Sequence, residues 1–260
     1  QAIKLRPDFV EAQNNLANLL KAEKRYAEAE QAYKQILKYK PDFVDAHYNL
    51  GSLYKEQKKY KEAEKAYKEA VRYRPDYIEA YFRIADLLVE QKKYAESEGI
   101  YHIVLKLRPD YAEVYIRLGN LFKLQRQYHK AEDSYRAAIT VHPDSVDAYN
   151  NLGNLYKDKK RYGEAEEFYV VALKLKPDHA VAYNNLGCLY KAKNQYEMAE
   201  KSFMTALKLE PDYVAAYNNL GNLFKDKNSY ETSEQFYQAA LKISPNNVEV
   251  NSNLGNLYRE

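Results

Sequence analysis

The sequence predicts an all-α solenoid of antiparallel helix pairs, and two observations carry that prediction. First, all eight prolines stand 34 residues apart: Pro7, Pro41, Pro75, Pro109, Pro143, Pro177, Pro211 and Pro245. Proline fixes φ, lacks an N–H and stops helices, so constant spacing means one small helical unit copied end to end. Second, apolar and small residues recur in fixed register between the prolines, at helical rather than alternating spacing. Units of this length bury a core only by stacking on their neighbours. No interval between prolines is lengthened, so the chain reads as a single array. Residues 1–7 read as the tail of a preceding second helix, 8–245 as seven full repeats, and 246–260 as the first helix of an eighth. Both ends would then bare a core face, and the chain is expected to be an internal piece of a longer protein, or to have further repeats on both sides.

Each repeat divides into two elements. With position one at Val10, position seven is apolar in every repeat, from Leu16 and Leu50 to Leu220 and Leu254. Position eight is small: Ala17, Gly51, Ala85, Gly119, Gly153, Gly187, Gly221 and Gly255. Position twenty is again small, and position twenty-four is aromatic: Tyr33, Tyr67, Tyr101, Tyr135, Tyr169, Phe203 and Tyr237. Small residues let two helices approach, and the aromatic ring fills the space beside them. In the fifth repeat the first helix is expected over Ser145–Lys157. A polar link follows, and the second helix is expected over Tyr162–Leu175. Asp8, Asp42, Asp76, Asp110 and Asp144 precede Glu11, Asp45, Glu79, Glu113 and Asp147 by three residues. That is the spacing of a capping box, with the aspartates as N-caps. Lysine or arginine at position twelve, from Lys21 to Arg259 in every repeat but the third, which has Val89, compensates the negative end of the same helix.

These residues resemble the tetratricopeptide repeat, whose pattern is W-x2-L-G-x2-Y followed by A-x3-F, A and P. The resemblance covers the whole chain and departs only at the tryptophan position, which here holds Gln13, His47, Tyr81, Tyr115, Tyr149, Tyr183, Tyr217 and Asn251. It implies a right-handed superhelix whose first helices line a concave groove. Positions two, five, six, nine and twelve would look into it. Position six is then Asn15, Asn49, Arg83, Arg117, Asn151, Asn185, Asn219 and Asn253, and position nine includes Asn18, Asn120, Asn154 and Asn222. Position five adds Asn14, Asn150, Asn184 and Asn218. A carboxamide offers a donor and an acceptor, as a peptide group does, so a row of them suits the backbone of an extended peptide. The asparagine ladder resembles those of O-linked N-acetylglucosamine transferase and of membrane-anchored O-mannosyltransferases with such repeats. The expected function is a non-catalytic scaffold binding an extended partner segment. The alternatives are a substrate-selecting arm of a glycosyltransferase whose catalytic domain lies elsewhere, and a structural subunit of a large assembly. Arg83 and Arg117 interrupt the ladder. They suit a ligand carboxylate or phosphate, or else pair with nearby acids such as Asp86 or Glu113.

Composition narrows the classes. Forty basic residues face 37 acidic ones, a net charge of +3, which lacks the excess of a nucleic-acid binder. No apolar run approaches a membrane span. One cysteine, Cys188, excludes an internal disulfide framework. With no Asn-x-Ser/Thr sequon present, the cytoplasm or nucleus is the expected compartment, the endoplasmic reticulum lumen the alternative. His47, His102, His129, His142 and His179 fit no metal spacing, and no cofactor or catalytic residue is expected. A chaperone-tail clamp is disfavoured because Asn14 and Glu79 stand where lysines are needed. Array ends and tyrosine-rich edges add an expectation of self-association. Glu30 and its equivalents at position twenty-one are read as structural.

Overall fold

The computed structural model describes residues 9–259, and these contain fifteen α-helices and no strand. The expected tail of a preceding helix, residues 1–7, lies outside the described residues. In order the helices are α1 (Val10–Ala22), α2 (Tyr26–Tyr39), α3 (Val44–Glu56), α4 (Tyr60–Tyr73), α5 (Ile78–Glu90), α6 (Tyr94–Leu107), α7 (Ala112–Leu124), α8 (Tyr128–Val141), α9 (Val146–Asp158), α10 (Tyr162–Leu175), α11 (Ala180–Ala192), α12 (Tyr196–Leu209), α13 (Val214–Asp226), α14 (Tyr230–Ile243) and α15 (Val248–Leu257). Odd-numbered helices are the first helices of their repeats, and even-numbered helices the second. The chain forms two compact units that divide within α7, after Val114. In the first unit α1 to α6 pack as consecutive pairs, and in the second α8 to α15 do the same.

The core of a pair is the aromatic at position twenty-four against the small residue at position eight. Tyr33, Tyr67, Tyr135, Tyr169, Phe203 and Tyr237 are all fully buried. A Cβ added to Gly153 would lie 2.5 Å from the Tyr169 ring, and one added to Gly221 2.4 Å from Tyr237. The ring therefore lies directly on the backbone of the first helix, and the sequence expectation of close approach holds. Each buried ring contributes roughly 3 kcal/mol of transfer free energy.

The two loops of a repeat differ in chemistry. Within a pair, the first helix ends in a Schellman motif. At the end of α3, the Lys59 N–H donates to the Tyr54 carbonyl at 2.8 Å and the Lys58 N–H to that of Lys55 at 2.9 Å. This motif needs a left-handed residue, and Lys24, Lys58, Lys92, Arg126, Lys160, Asn194 and Asn228 supply it, with φ between 56° and 61°. None is glycine. Between pairs, the proline ends the second helix, because the residue before it is pushed to extended geometry. Lys40, for example, has ψ 83°.

One local expectation is corrected here. The N-caps are not the aspartates but the residues after them: Phe9, Phe43, Tyr77, Ser145, His179, Tyr213 and Asn247. Only Ser145 and Asn247 accept a side-chain cap bond, from the Ala148 and Val250 N–H groups. The Pro-Asp pair occupies a turn instead, as where the Phe43 N–H donates to the Lys40 carbonyl. The aromatic N-cap serves packing: Phe43 and Tyr77 lean on the core.

A left-handed L-residue costs about 1–2 kcal/mol, part of which glycine's larger unfolded-state entropy offsets. Lys58→Gly should therefore raise stability by about 0.5–1 kcal/mol in urea titrations, whereas Asn194→Gly should change little, since asparagine already tolerates this geometry.

Candidate functional site on the first-helix faces

Stacking places position six of one first helix beside position five of the preceding one. The Asn49 Nδ2 donates to Asn14 Oδ1 at 3.1 Å in the first unit. In the second unit Asn185 donates to Asn150, Asn219 to Asn184 and Asn253 to Asn218, at 2.9–3.0 Å. Asn14, Asn150, Asn184 and Asn218 are only 4–8 % exposed. Position five is thus a buried acceptor between helices, and its expected exposure to a ligand is corrected. The same register explains Arg83: its predecessor at position five is Tyr48, and the Arg83 Nε donates to the Tyr48 hydroxyl at 3.1 Å. Arg83 also lies 3.7 Å from Asp86. Of the two readings of Arg83, the pairing one fits this geometry. Arg117 is not a free cation either.

Position nine is held from below. The buried tyrosine of the second helix donates its hydroxyl to the carboxamide oxygen: Tyr33 to Asn18, Tyr135 to Asn120, Tyr169 to Asn154 and Tyr237 to Asn222, at 2.6–2.8 Å. Burial pushes the hydroxyls of Tyr33, Tyr135 and Tyr169 up, that of Tyr33 to about 12, so they remain donors. With its oxygen fixed, each carboxamide turns its NH2 away from the core. Among the described residues these four NH2 groups make no bond. Repeat six confirms the coupling by exception. Where Phe203 lacks the hydroxyl, Cys188 replaces the asparagine, and the thiol accepts from Asn219 at 3.4 Å. Burial pushes the Cys188 thiol up, against the nearby positive charge of Lys157 and Lys191, so it is no activated nucleophile.

The charged positions are mostly internal braces. Lys21 pairs with Glu56, Lys55 with Glu90, Lys123 with Asp158 and Lys191 with Asp226, each at 3.0 Å. Each lysine reaches the acid at position thirteen of the next repeat, a partnership the sequence displays but that dipole compensation alone does not require. On the opposite side, position twenty-one behaves as the structural residue expected. The Glu132 carboxylate accepts from Tyr156 at 2.5 Å and pairs with Lys159 and Arg136 at 3.1 Å. Glu166 repeats the pattern with Tyr190 and Lys193. Desolvation pushes the Glu132 carboxyl up, but Tyr156, Lys159 and Arg136 outweigh it and hold it at about 2.

The predicted site residues therefore divide. Asn49, Asn185, Asn219 and Asn253 each commit an N–H inside the array, and Arg83 commits its Nε–H. Asn18, Asn120, Asn154 and Asn222 keep their NH2 groups, and Asn15 and Asn151 make no bond among the described residues. A hollow of about 410 Å³ opens in the second unit, lined by Tyr213, Val214, Ala215, Asn218, Asn219 and Glu249 among others. It lies where Ala215 replaces the acid that Glu11, Asp45, Glu79, Glu113 and Asp147 supply at position two. Among the described residues no cluster of His, Cys, Asp or Glu could hold a metal, and no helix is long and apolar enough to cross a membrane.

Fold and face together define a helix-pair repeat scaffold. Family models described as tetratricopeptide repeat match residues 1–42, 14–78, 55–116, 110–178 and 144–210, and one described as TPR repeat matches 221–260. The chain belongs to the tetratricopeptide-repeat family. No curated protein matches it in sequence. Among solved structures, a tetratricopeptide repeat protein from Parabacteroides merdae is similar over 96% of this chain and 98% of its own, at 19% identity and a TM-score of 0.78. The APC/C hetero-tetramer Cut9–Hcn1 contains a chain similar over 98% of this one and 50% of its own, at 16% identity and a TM-score of 0.65. PilF of Pseudomonas aeruginosa is similar over 82% and 97%, at 17% identity and a TM-score of 0.59. At these identities the likeness is one of fold.

Two outcomes check this geometry. Tyr169→Phe should cost about 1 kcal/mol, and combining it with Asn154→Cys should cost less than the sum of the single changes, because no acceptor is then stranded. Glu132 has a depressed folded-state pKa, so its stabilisation is full above the ordinary 4.5 and is lost as pH falls towards 2. Glu132→Gln should lower the urea midpoint at neutral pH and flatten its fall over that acid range.

Proposed function

We propose that this chain is a non-catalytic scaffold that holds an extended segment of another protein along its first-helix faces. The observation that carries the reading is the orientation of Asn18, Asn120, Asn154 and Asn222, whose oxygens are tied to buried tyrosines while their NH2 groups stay uncommitted. In the second unit Asn120, Asn154 and Asn222 therefore make a row of fixed donors rather than of two-sided carboxamides, and Asn18 is held the same way in the first. Such a row suits the carbonyls of an extended backbone, with little demand on side chains. The hollow at Ala215 and Asn218 offers room for one apolar side chain beside it. The compartment this reading favours is the cytoplasm or nucleus.

A second reading, a structural subunit of a larger assembly, has its own support. The last residues of six of the second helices are apolar and 36–59 % exposed: Tyr39, Tyr73 and Leu107 in one unit, Leu175, Leu209 and Ile243 in the other. One fold neighbour is, by its description, part of a hetero-tetramer. The two readings separate by selection from a display library of random dodecapeptides. If the groove reading holds, the combined change Asn154→Ala and Asn222→Ala should weaken selected peptides at least tenfold, and Leu175→Ser with Leu209→Ser should not. The reverse pattern would favour docking through the outer edge.

A further inference from the structure

Repeat five differs from every other repeat in the second unit, and the difference comes from its neighbours. Asn151 occupies position six, but the position-five residue it would reach back to is Ile116, which offers no acceptor. The equivalent asparagines 185, 219 and 253 all have that acceptor. Lys157 occupies position twelve, but the position-thirteen residue of the next repeat is Ala192, where the others carry Glu56, Glu90, Asp158 or Asp226. Asn151 and Lys157 make no bond or ion pair among the described residues. Two independent breaks in the array's self-pairing thus fall on one helix, α9.

Between them sits Asn154, with its NH2 turned outward by Tyr169. The three residues are spaced i, i+3 and i+6, so they lie on one face of α9 within about 120° of arc. Asn151 offers both ends of its carboxamide, Asn154 a donor and Lys157 an ammonium group on a partly buried side chain. The acids around them are accounted for. Residues 115–124 of α7 and the whole of α11 carry none. Asp158 is paired with Lys123, Asp226 with Lys191, and Asp147 lies about 15 Å along the helix from Lys157. Lys157 is therefore a cation with no internal counter-charge, and its field already reaches the Cys188 thiol.

We infer that Asn151, Asn154 and Lys157 form the anchoring subsite of the scaffold, and that it takes an aspartate or glutamate of an extended partner segment. The carboxylate meets Lys157. The backbone N–H and C=O beside it meet Asn151, whose oxygen and NH2 are both unspent, and a further carbonyl meets Asn154. This inference rests on the groove reading and adds to it a place and a charge. An acid here replaces the one Ala192 fails to provide, so the ligand completes the pattern by which the array binds itself.

The experiment selects dodecapeptides from a random display library against the unaltered chain, then measures them against Lys157→Met and Ala192→Glu. The second variant keeps the lysine and supplies the acid found in four other lysine pairs, so it should fold; circular dichroism checks both. The expected result is an Asp or Glu enriched at one fixed peptide position. Both variants should bind such peptides at least tenfold more weakly. Replacing that acid by its amide should cost as much against the unaltered chain and nothing against Ala192→Glu. Peptides without a fixed acid, or with one indifferent to both variants, would overturn the subsite. If those peptides still depend on Asn154 and Asn222, the groove reading stands without it; if they do not, both fall.

Discussion

The contact between the second-helix aromatic and the backbone of the first helix is the constraint from which the rest follows. Because a ring rests on Gly153 or Gly221 at a distance that forbids a Cβ, the two helices of a repeat have a single spacing. Where Ala17 and Ala85 stand in place of glycine, Tyr33 and Tyr101 are still buried. The ring also brings its hydroxyl to one place, beneath position nine. A core contact thereby becomes an orienting device for a surface amide. The pairing of Cys188 with Phe203 shows the two positions changing together: without the hydroxyl there is no need for its acceptor.

Stacking sets a second layer of bonds on the first. Neighbouring first helices meet at positions five and six and again at twelve and thirteen, while the second helices are braced through position twenty-one. The charged pairs among these are partly exposed, so they contribute little individually and act chiefly to fix register. Their constancy means that a polar face which looks ready for a ligand is largely occupied by the protein itself. Asparagine at position five is the clearest case, being buried between helices although it shares the first helix with the exposed residues.

The fold was legible in the sequence because proline spacing, the small position and the aromatic position all report contacts inside one repeat. The fifth-repeat helices fall at 146–158 and 162–175, within one residue of expectation at the start and end of the first and at both ends of the second. The N-caps were misplaced by one residue because Asp and Phe or Tyr compete there: the aspartate lies in the Pro-Asp turn, and the aromatic is drawn to the core. The site was less legible where its bonds cross between repeats and join residues 31 to 35 apart, as in Asn219 with Cys188 and Asn185 with Asn150. At position six only the register between repeats shows that the amide is spent, whereas at position nine the partner of the amide oxygen is the tyrosine of the same repeat. The link between Arg83 and Tyr48 was open to the same reasoning, because both change together against their neighbours.

A repeat scaffold faces a conflict that this chain resolves locally. Identical repeats satisfy one another, and the better they do so, the fewer polar groups remain for a partner. A donor that is already paired can bind a ligand only by giving up its partner, which returns most of the gain. Binding capacity must then come from groups the array cannot use. One source is the outward NH2 of position nine, left over because its oxygen alone is needed below. The other is substitution in a neighbour: Ile116 and Ala192 remove partners from α9 without altering α9 itself. Ligand preference in such an array is therefore written as much in the residues that fail to pair as in those that face the groove, and departures from the repeat carry more functional information than the repeat does.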